Sequence, residues 1–279
     1  MSTYRVELGE FLKARRARVS PGSVGLPEGG RRRTPGLRRE ELAQLAGVGV
    51  TWYTWLEQGR EINVSGQVLD AVAATLQLSP VEREHLYRLA EATPVRLPRP
   101  TECASEAVLS EILDTLDPLP ALITNKRFDI VRSNAAYREL FHDWHALPCV
   151  HKNVLWCIIT EPSAREQLVN YDNEVAYLVA RLRSAYGEHI GDPDWETDLA
   201  RLQSTSPEFT ELWSRHEVAD CTPRPRHIVH PTTGDMHFNV TELALPAHPD
   251  LLLFVETPAD DETRRKLPLT RFSATPAAH

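Results

Sequence analysis

Four residues of metal-binding type fall close together in HDWHALPCVH: His142, His145, Cys149 and His151. Imidazole and thiolate are good zinc ligands. The spacing fits no finger or ribbon arrangement, so a helix-to-loop stretch with chance histidines is the competing reading, and no metal or cofactor is expected. Catalytic signatures are missing as well. The chain has no GxxxxGK[ST] phosphate cradle, no GxSxG elbow and no HExxH pair. Its carboxylates form no legible acid–base pair, so no enzyme is expected. Cys103, Cys149, Cys157 and Cys221 contain no CxxC pair and read as reduced thiols rather than a disulfide frame.

The remaining candidate chemistry is nucleic-acid recognition. Residues 1–100 carry 15 Lys and Arg against 11 Asp and Glu, while residues 101–279 carry 16 against 28. A mildly basic half joined to an acidic half suggests two modules with different partners. In the basic half, Arg31, Arg32, Arg33, Arg38 and Arg60 stand where phosphates could be gripped, with a solvated loop as the alternative for the Arg31–Arg33 run. Between them lies REELAQLAGVGVTWYTWLEQ (39–58). Ala43 is small enough for two helices to approach there, and Gly47 tolerates the turn between them. Leu42, Val48, Tyr53 and Leu56 fall on an inward face. Val50, Thr51, Trp52, Thr54 and Trp55 are left facing out. This is the pattern of a helix-turn-helix whose second helix enters the major groove. A helical hairpin in any small α domain would look similar. Threonine can meet bases or thymine methyls, whereas tryptophan has no bidentate base code, so part of the sequence preference should come from arginines and DNA shape.

The elements that must position these residues are legible from periodicity and punctuation. Helices are expected at 4–18, 37–47, 50–58, 65–78 and 80–92, with a Gly- and Pro-rich loop at 19–36. TPVRLPRPTEC (93–103) reads as a linker. A helix at 105–116 and a hairpin over LPALITNKRFDIVRSN follow, turning at Asn125-Lys126. Asn134 should cap a helix at 135–144. Further helices are expected at 169–186, 194–203 and 207–216, and strands at 225–231, 236–245 and 251–256. The fold class is therefore α+β: an all-α five-helix domain (1–95), a linker (96–103), an α/β domain with an antiparallel sheet flanked by helices (104–258) and a flexible tail (259–279). No apolar run reaches membrane-spanning length and no secretory h-region is present, so a cytoplasmic, nucleoid-associated protein with no membrane partner is expected.

LGEFLKARRARVSP and GLPEGGRRRTPGLRREELAQLAGVGVTWYTWLEQGRE resemble the XRE-type helix-turn-helix regulators of actinobacteria, specifically the MmyB-like group. LPALITNKRFDIVRSNAAYRELF, SPEFTELWSRHEV and HPTTGDMHFNVTEL resemble that group's second domain, which is PAS-like and ligand-binding. The likeness runs from about residue 8 to 257. It implies a transcription factor on double-stranded DNA, with a second domain that senses a small lipophilic molecule, fatty-acid-like or lactone-like, and forms a homodimer on a palindromic operator. Candidate ligand-lining residues are Trp156, Tyr177, Leu178, Arg181, Trp213, His216, His237 and Phe238. Arg181 is the first choice for a head-group cation and His216 the second. Phe209, Trp213 and His216 share a helical face, for which plain core packing is the competing reading. His237 and Phe238 alternate, so only one can face inward. Two other readings remain: a second domain that serves only as a dimerisation or docking platform, and an autoregulated enzyme or toxin–antitoxin partner.

Overall fold

A computed structural model describes residues 3–27, 36–90, 106–141, 152–246 and 248–269. Arg31–Arg33, the linker at 96–103, and His142, His145, Cys149 and His151 lie outside these residues, as does the tail beyond 269.

The described helices are α1 (Thr3–Arg18), α2 (Arg39–Leu45), α3 (Val50–Glu57), α4 (Gly66–Thr75), α5 (Pro80–Ala90), α6 (Glu106–Thr115), α7 (Ala135–Leu140), α8 (Val154–Thr160), α9 (Pro162–Gln167), α10 (Tyr171–Tyr186), α11 (Pro193–Thr205), α12 (Pro207–Ser214) and α13 (Asp261–Lys266). The strands are β1 (Ala121–Asn125), β2 (Ile130–Ser133), β3 (Arg224–His230), β4 (Gly234–Ala244) and β5 (Leu251–Pro258). Helices followed by an antiparallel sheet flanked by helices make the α+β class expected from sequence.

Two compact units emerge. The first holds the N-terminal five helices together with residues 183–201 and 210–220. The second holds residues 97–182, 202–209 and 221–279. In the first unit Phe11, Leu12, Leu42, Val72 and Leu86 are fully enclosed. Glu82 closes a capping box at the start of α5, its carboxylate accepting from the Ser79 amide at 2.7 Å while its own amide bonds the Ser79 hydroxyl at 3.3 Å.

In the second unit the strand order is β2-β1-β5-β4-β3, every pairing antiparallel. On one face of the sheet Leu109 and Leu113 of α6 pack against Ala121, Ile123, Leu253 and Val255. On the other face Met236, Phe238 and Val240 alternate inward along β4 and are fully buried, as a strand period of two requires. Asn134 ties the start of α7 to the sheet. Its Oδ1 accepts from the amides of Tyr137 (2.9 Å) and Ala121 (3.0 Å), and its Nδ2 donates to the Leu119 (2.8 Å) and Leu113 (3.2 Å) carbonyls.

Three expectations are corrected. The hairpin does not turn tightly at Asn125-Lys126: Asn125 is the last residue of β1, and its Oδ1 accepts from the amides of Arg127 and Asp129, both at 2.9 Å, holding a longer loop in which Phe128 adopts φ 69°. Residues 259–279 are not a tail throughout. Asp260 caps α13 by accepting from the Thr263 amide at 2.6 Å, Thr263 Oγ1 accepts from the His237 amide at 2.9 Å, and Leu267 is buried. α8 and α9 were not anticipated. Asn153 caps α8 at the Trp156 amide (3.0 Å), and Pro162 opens α9.

Candidate nucleic-acid interface and second-unit interior

In the first unit α2 and α3 form the two arms of the turn. Gly47 adopts φ 66°, a conformation that disfavours any side chain. Leu42, Ala43, Tyr53 and Leu56 are buried, and Val48 is half-buried. Burial, with Glu57 nearby, pushes the Tyr53 hydroxyl well above its ordinary pKa. What remains is an outward row: Val50, Thr51 and Trp55 exposed, Trp52 and Thr54 half-buried. The Thr54 hydroxyl donates to the Val50 carbonyl at 2.8 Å, an i to i−4 bond back onto its own helix. The Arg60 guanidinium lies over the Trp55 ring, 5.8 Å from its centroid, and Arg38 is exposed at the start of α2.

The sequence reading missed what aims α3. Glu57, in its last turn, is fully enclosed and accepts from Arg16 Nη2 (2.8 Å), Arg16 Nε (3.0 Å) and Arg39 Nη2 (3.0 Å). Burial alone would raise the Glu57 pKa, but the Arg16 hydrogen bonds and charge, with those of Arg39, hold it below the usual value. Gly9 lets α1 cross this point: a Cβ there would meet the Glu57 carbonyl oxygen at 2.4 Å. Three helices are thus pinned where the outward row ends. A glutamate after a tryptophan-rich helix gives no local signal of this, because Arg16 is 41 residues away.

Trp213 and His216 belong to the first unit, whereas Tyr177, Leu178 and Arg181 belong to the second. The Arg183 guanidinium stacks over Trp213 at 3.8 Å, and His216 Nδ1 lies 3.3 Å from Glu7 Oε1. Burial would raise the Glu7 pKa; the His216 hydrogen bond and the Arg183 charge lower it instead. The expected joint lining by Tyr177, Arg181, Trp213 and His216 is therefore divided between the units, because a helical face shows what is apolar but not which neighbour covers it. Trp195 also falls in the first unit, stacked on His189 with centroids 4.6 Å apart.

Within the second unit Leu178 and Phe238 are buried, and Trp156 and Tyr177 half-buried. His237 stands on the opposite, exposed face of β4, its ring stacked on His227 at 4.1 Å, so strand alternation removes it from the interior. Arg181 is paired with Glu242. Burial would lower its pKa, but the Glu242 hydrogen bond and charge raise it.

A second charged cluster was not anticipated. Arg224 and Arg226 alternate inward on β3, where the strand pattern calls for apolar side chains. Arg224 donates Nη2 (2.7 Å) and Nε (3.0 Å) to Glu174 of α10. Arg226 bridges Glu174 and Glu256 of β5. The Tyr177 ring lies 4.3 Å from the Arg224 guanidinium and the Phe141 ring 5.8 Å from that of Arg226. Glu174 is driven down to about 2: desolvation opposes this, but the charges of Arg226 and Arg224 prevail. Glu256 is pushed up, by burial first and with the Glu174 charge adding to it against the pull of Arg226.

No three or more metal-ligating side chains gather among the described residues, and no helix among them is long and apolar enough to cross a membrane. Comparison with known proteins gives two matches. Residues 7–86 match the helix-turn-helix domain, and residues 106–269 match the MmyB-like transcription regulator ligand binding domain. No curated protein matches the chain. A helix-turn-helix braced for DNA contact, followed by this second domain over more than half the chain, makes the protein a DNA-binding transcription regulator of the MmyB-like family.

Proposed function

We propose that the protein is a ligand-responsive regulator that binds a palindromic operator as a homodimer. In this reading α3 enters the major groove with Thr51 and Trp55 leading and Val50, Trp52 and Thr54 beside them. Arg31–Arg33, Arg38 and Arg60 hold the flanking phosphates. The observation that carries it is the outward row on α3 ending at the Arg16–Glu57–Arg39 brace, which aims a recognition helix without spending its exposed side chains. The second domain is proposed to dimerise and to take a lipophilic molecule among Trp156, Tyr177, Leu178 and Phe238. A ligand shifts such a regulator only by favouring one arrangement of the two DNA-reading helices over another. A packed dimerisation platform is the second reading; the enclosure of Leu178 and the pairing of Arg181 with Glu242 favour it.

The test has two arms. Thr51→Ala with Trp55→Ala should weaken operator binding more than binding to random DNA. Arg38→Ala with Arg60→Ala should weaken both and flatten the salt dependence by about one unit per lost phosphate contact. Proportional loss in both sets would overturn these roles. Sedimentation should find the full chain dimeric and residues 1–95 monomeric at micromolar concentration; a monomeric full chain would remove the dimer.

A further inference from the structure

The helix-turn-helix match ends at residue 86, yet the first unit also holds residues 183–201 and 210–220, which fall inside the matched ligand binding domain. These two segments hold one face of α1. Glu7, Phe11 and Arg15 stand four residues apart and so line up along that face. At one end Arg183 donates to the Glu7 carboxylate and to the Trp213 carbonyl, and His216 Nδ1 stands 3.3 Å from Glu7 Oε1. At the other end Arg15 Nη2 donates to the carbonyls of Arg215 (3.2 Å) and His216, while Arg15 Nη1 donates to Glu217 Oε2 at 3.3 Å. Residues 215–217 therefore engage α1 at two points about 12 Å apart along its axis, eight residues at the helical rise.

Two features separate this contact from ordinary packing. The Glu7 side chain is only 17% exposed, and the arginine that pairs with it lies 176 residues away, outside the helix-turn-helix match. His216 adopts φ 52°, a left-handed conformation that glycine usually supplies at a helix end. A side-chain-bearing residue persists there only where its surroundings hold it, and His216 has both its ring and its carbonyl engaged on α1. The next residue after Arg15 is Arg16, which holds Glu57 in the last turn of α3. Successive residues of a helix point about 100° apart, so α1 is fixed between residues 215–217 on one side and α3 on another. A helix moves as a stiff body, and loosening it at Glu7 and Arg15 loosens what Arg16 aims.

We infer that Arg183 and His216 are positioning residues for operator reading: they fix α1 at Glu7 and Arg15, and α1 fixes the angle of α3 through Arg16 and Glu57. The inference rests on α3 being the helix that reads the operator. It adds that the sequence of the ligand binding domain sets how α3 is aimed. α10 carries both Leu178 and, five residues on, Arg183, so a change in that helix is passed to α1 without any further element.

The experiment uses the full chain and an operator selected from random-sequence DNA by the wild type. His216→Gly removes the ring and suits the left-handed backbone, so the variant should melt close to the wild type. Its operator affinity should fall about fivefold or more, the lower end of what one lost base contact costs. Affinity for random DNA should stay the same, because the phosphate-facing arginines are untouched. Hydrogen exchange should quicken at the amides of α1 and α3 and stay unchanged in β4 and β5. Glu7→Gln removes the charge on the α1 side and should show the same selective loss. Glu217→Gln, at an exposed site, should show a smaller one, because Arg15 keeps Glu82. Unchanged operator affinity in every variant that stays folded, equal loss on operator and random DNA, or faster exchange in α1 with none in α3 overturns the inference. Thr51→Ala with Trp55→Ala tests the reading beneath it. If that pair leaves operator preference intact, α3 is not the reading helix; if it abolishes the preference and the clamp variants do not lower it, only this inference falls.

Discussion

Arg16 of α1 holds Glu57, in the last turn of α3, through two hydrogen bonds of 2.8 and 3.0 Å, and both side chains are buried. Removing one member of a buried pair strands the other, at a cost of about 3–5 kcal/mol. Arg16→Ala and Glu57→Ala should each lower the melting temperature markedly. The double variant should lose much less than the sum, and a double-mutant cycle in denaturant reads the difference. Operator affinity should fall in Arg16→Ala even at temperatures where the variant stays folded, because α3 is no longer fixed against α1.

Acid should destabilise the protein earlier than carboxylates alone would. His85 is buried against Phe11, and neither ring nitrogen has a hydrogen-bond partner. Burial, with the Arg88 charge, depresses its pKa from 6.5 to about 3. The unfolded chain therefore takes up a proton below pH 6.5 that the folded one refuses, and stability falls by up to about 1.4 kcal/mol per pH unit down to about pH 3. Glu174 adds a loss of the same sign as pH drops from its ordinary value of 4.5 toward 2. Glu256 is raised and acts oppositely, losing its contribution as pH rises. In His85→Phe the decline between pH 6.5 and 4.5 should flatten, which chemical denaturation across that range would detect.

Asn134 satisfies two amides and two carbonyls at once, joining α6, β1 and α7. Asn134→Ala leaves those groups without it in a buried setting, at about 1–3 kcal/mol for each that finds no substitute. Asn134→Asp keeps the acceptor oxygen but loses both donations. The aspartate variant should fall between alanine and wild type in equilibrium unfolding.

Leu178→Trp separates an open interior from a packed one. With room for a guest, the variant should keep its melting temperature and lose the shift produced by lipophilic probes. With Leu178 already fully packed, overpacking should cost about 1–3 kcal/mol. The burial of Leu178 makes destabilisation the expected result if the second domain is only a platform.

Local pattern was sufficient wherever a structural requirement is met within a few residues. Ala43 and Gly47 announce the turn between α2 and α3 because helix approach and positive φ are restrictions on single positions. Asn134 announces α7 because a capping side chain reaches only three residues ahead. The signal at Asp260 and Thr263 was of the same kind, but the segment is so short of apolar residues that its helix became legible only once Thr263 was seen bonded to the His237 amide and Leu267 buried. Helical periodicity correctly placed Phe209 on a buried face, yet it could not say that Trp213 would stack under Arg183 in the first unit. Tertiary structure alone decided the charged interior. Arg224 and Arg226 depart visibly from the apolar alternation of β3, but their partners Glu174 and Glu256 lie 50 and 30 residues away. A buried charge is tolerable only where the fold delivers an opposite one to it, and no spacing rule within a strand or helix carries that information.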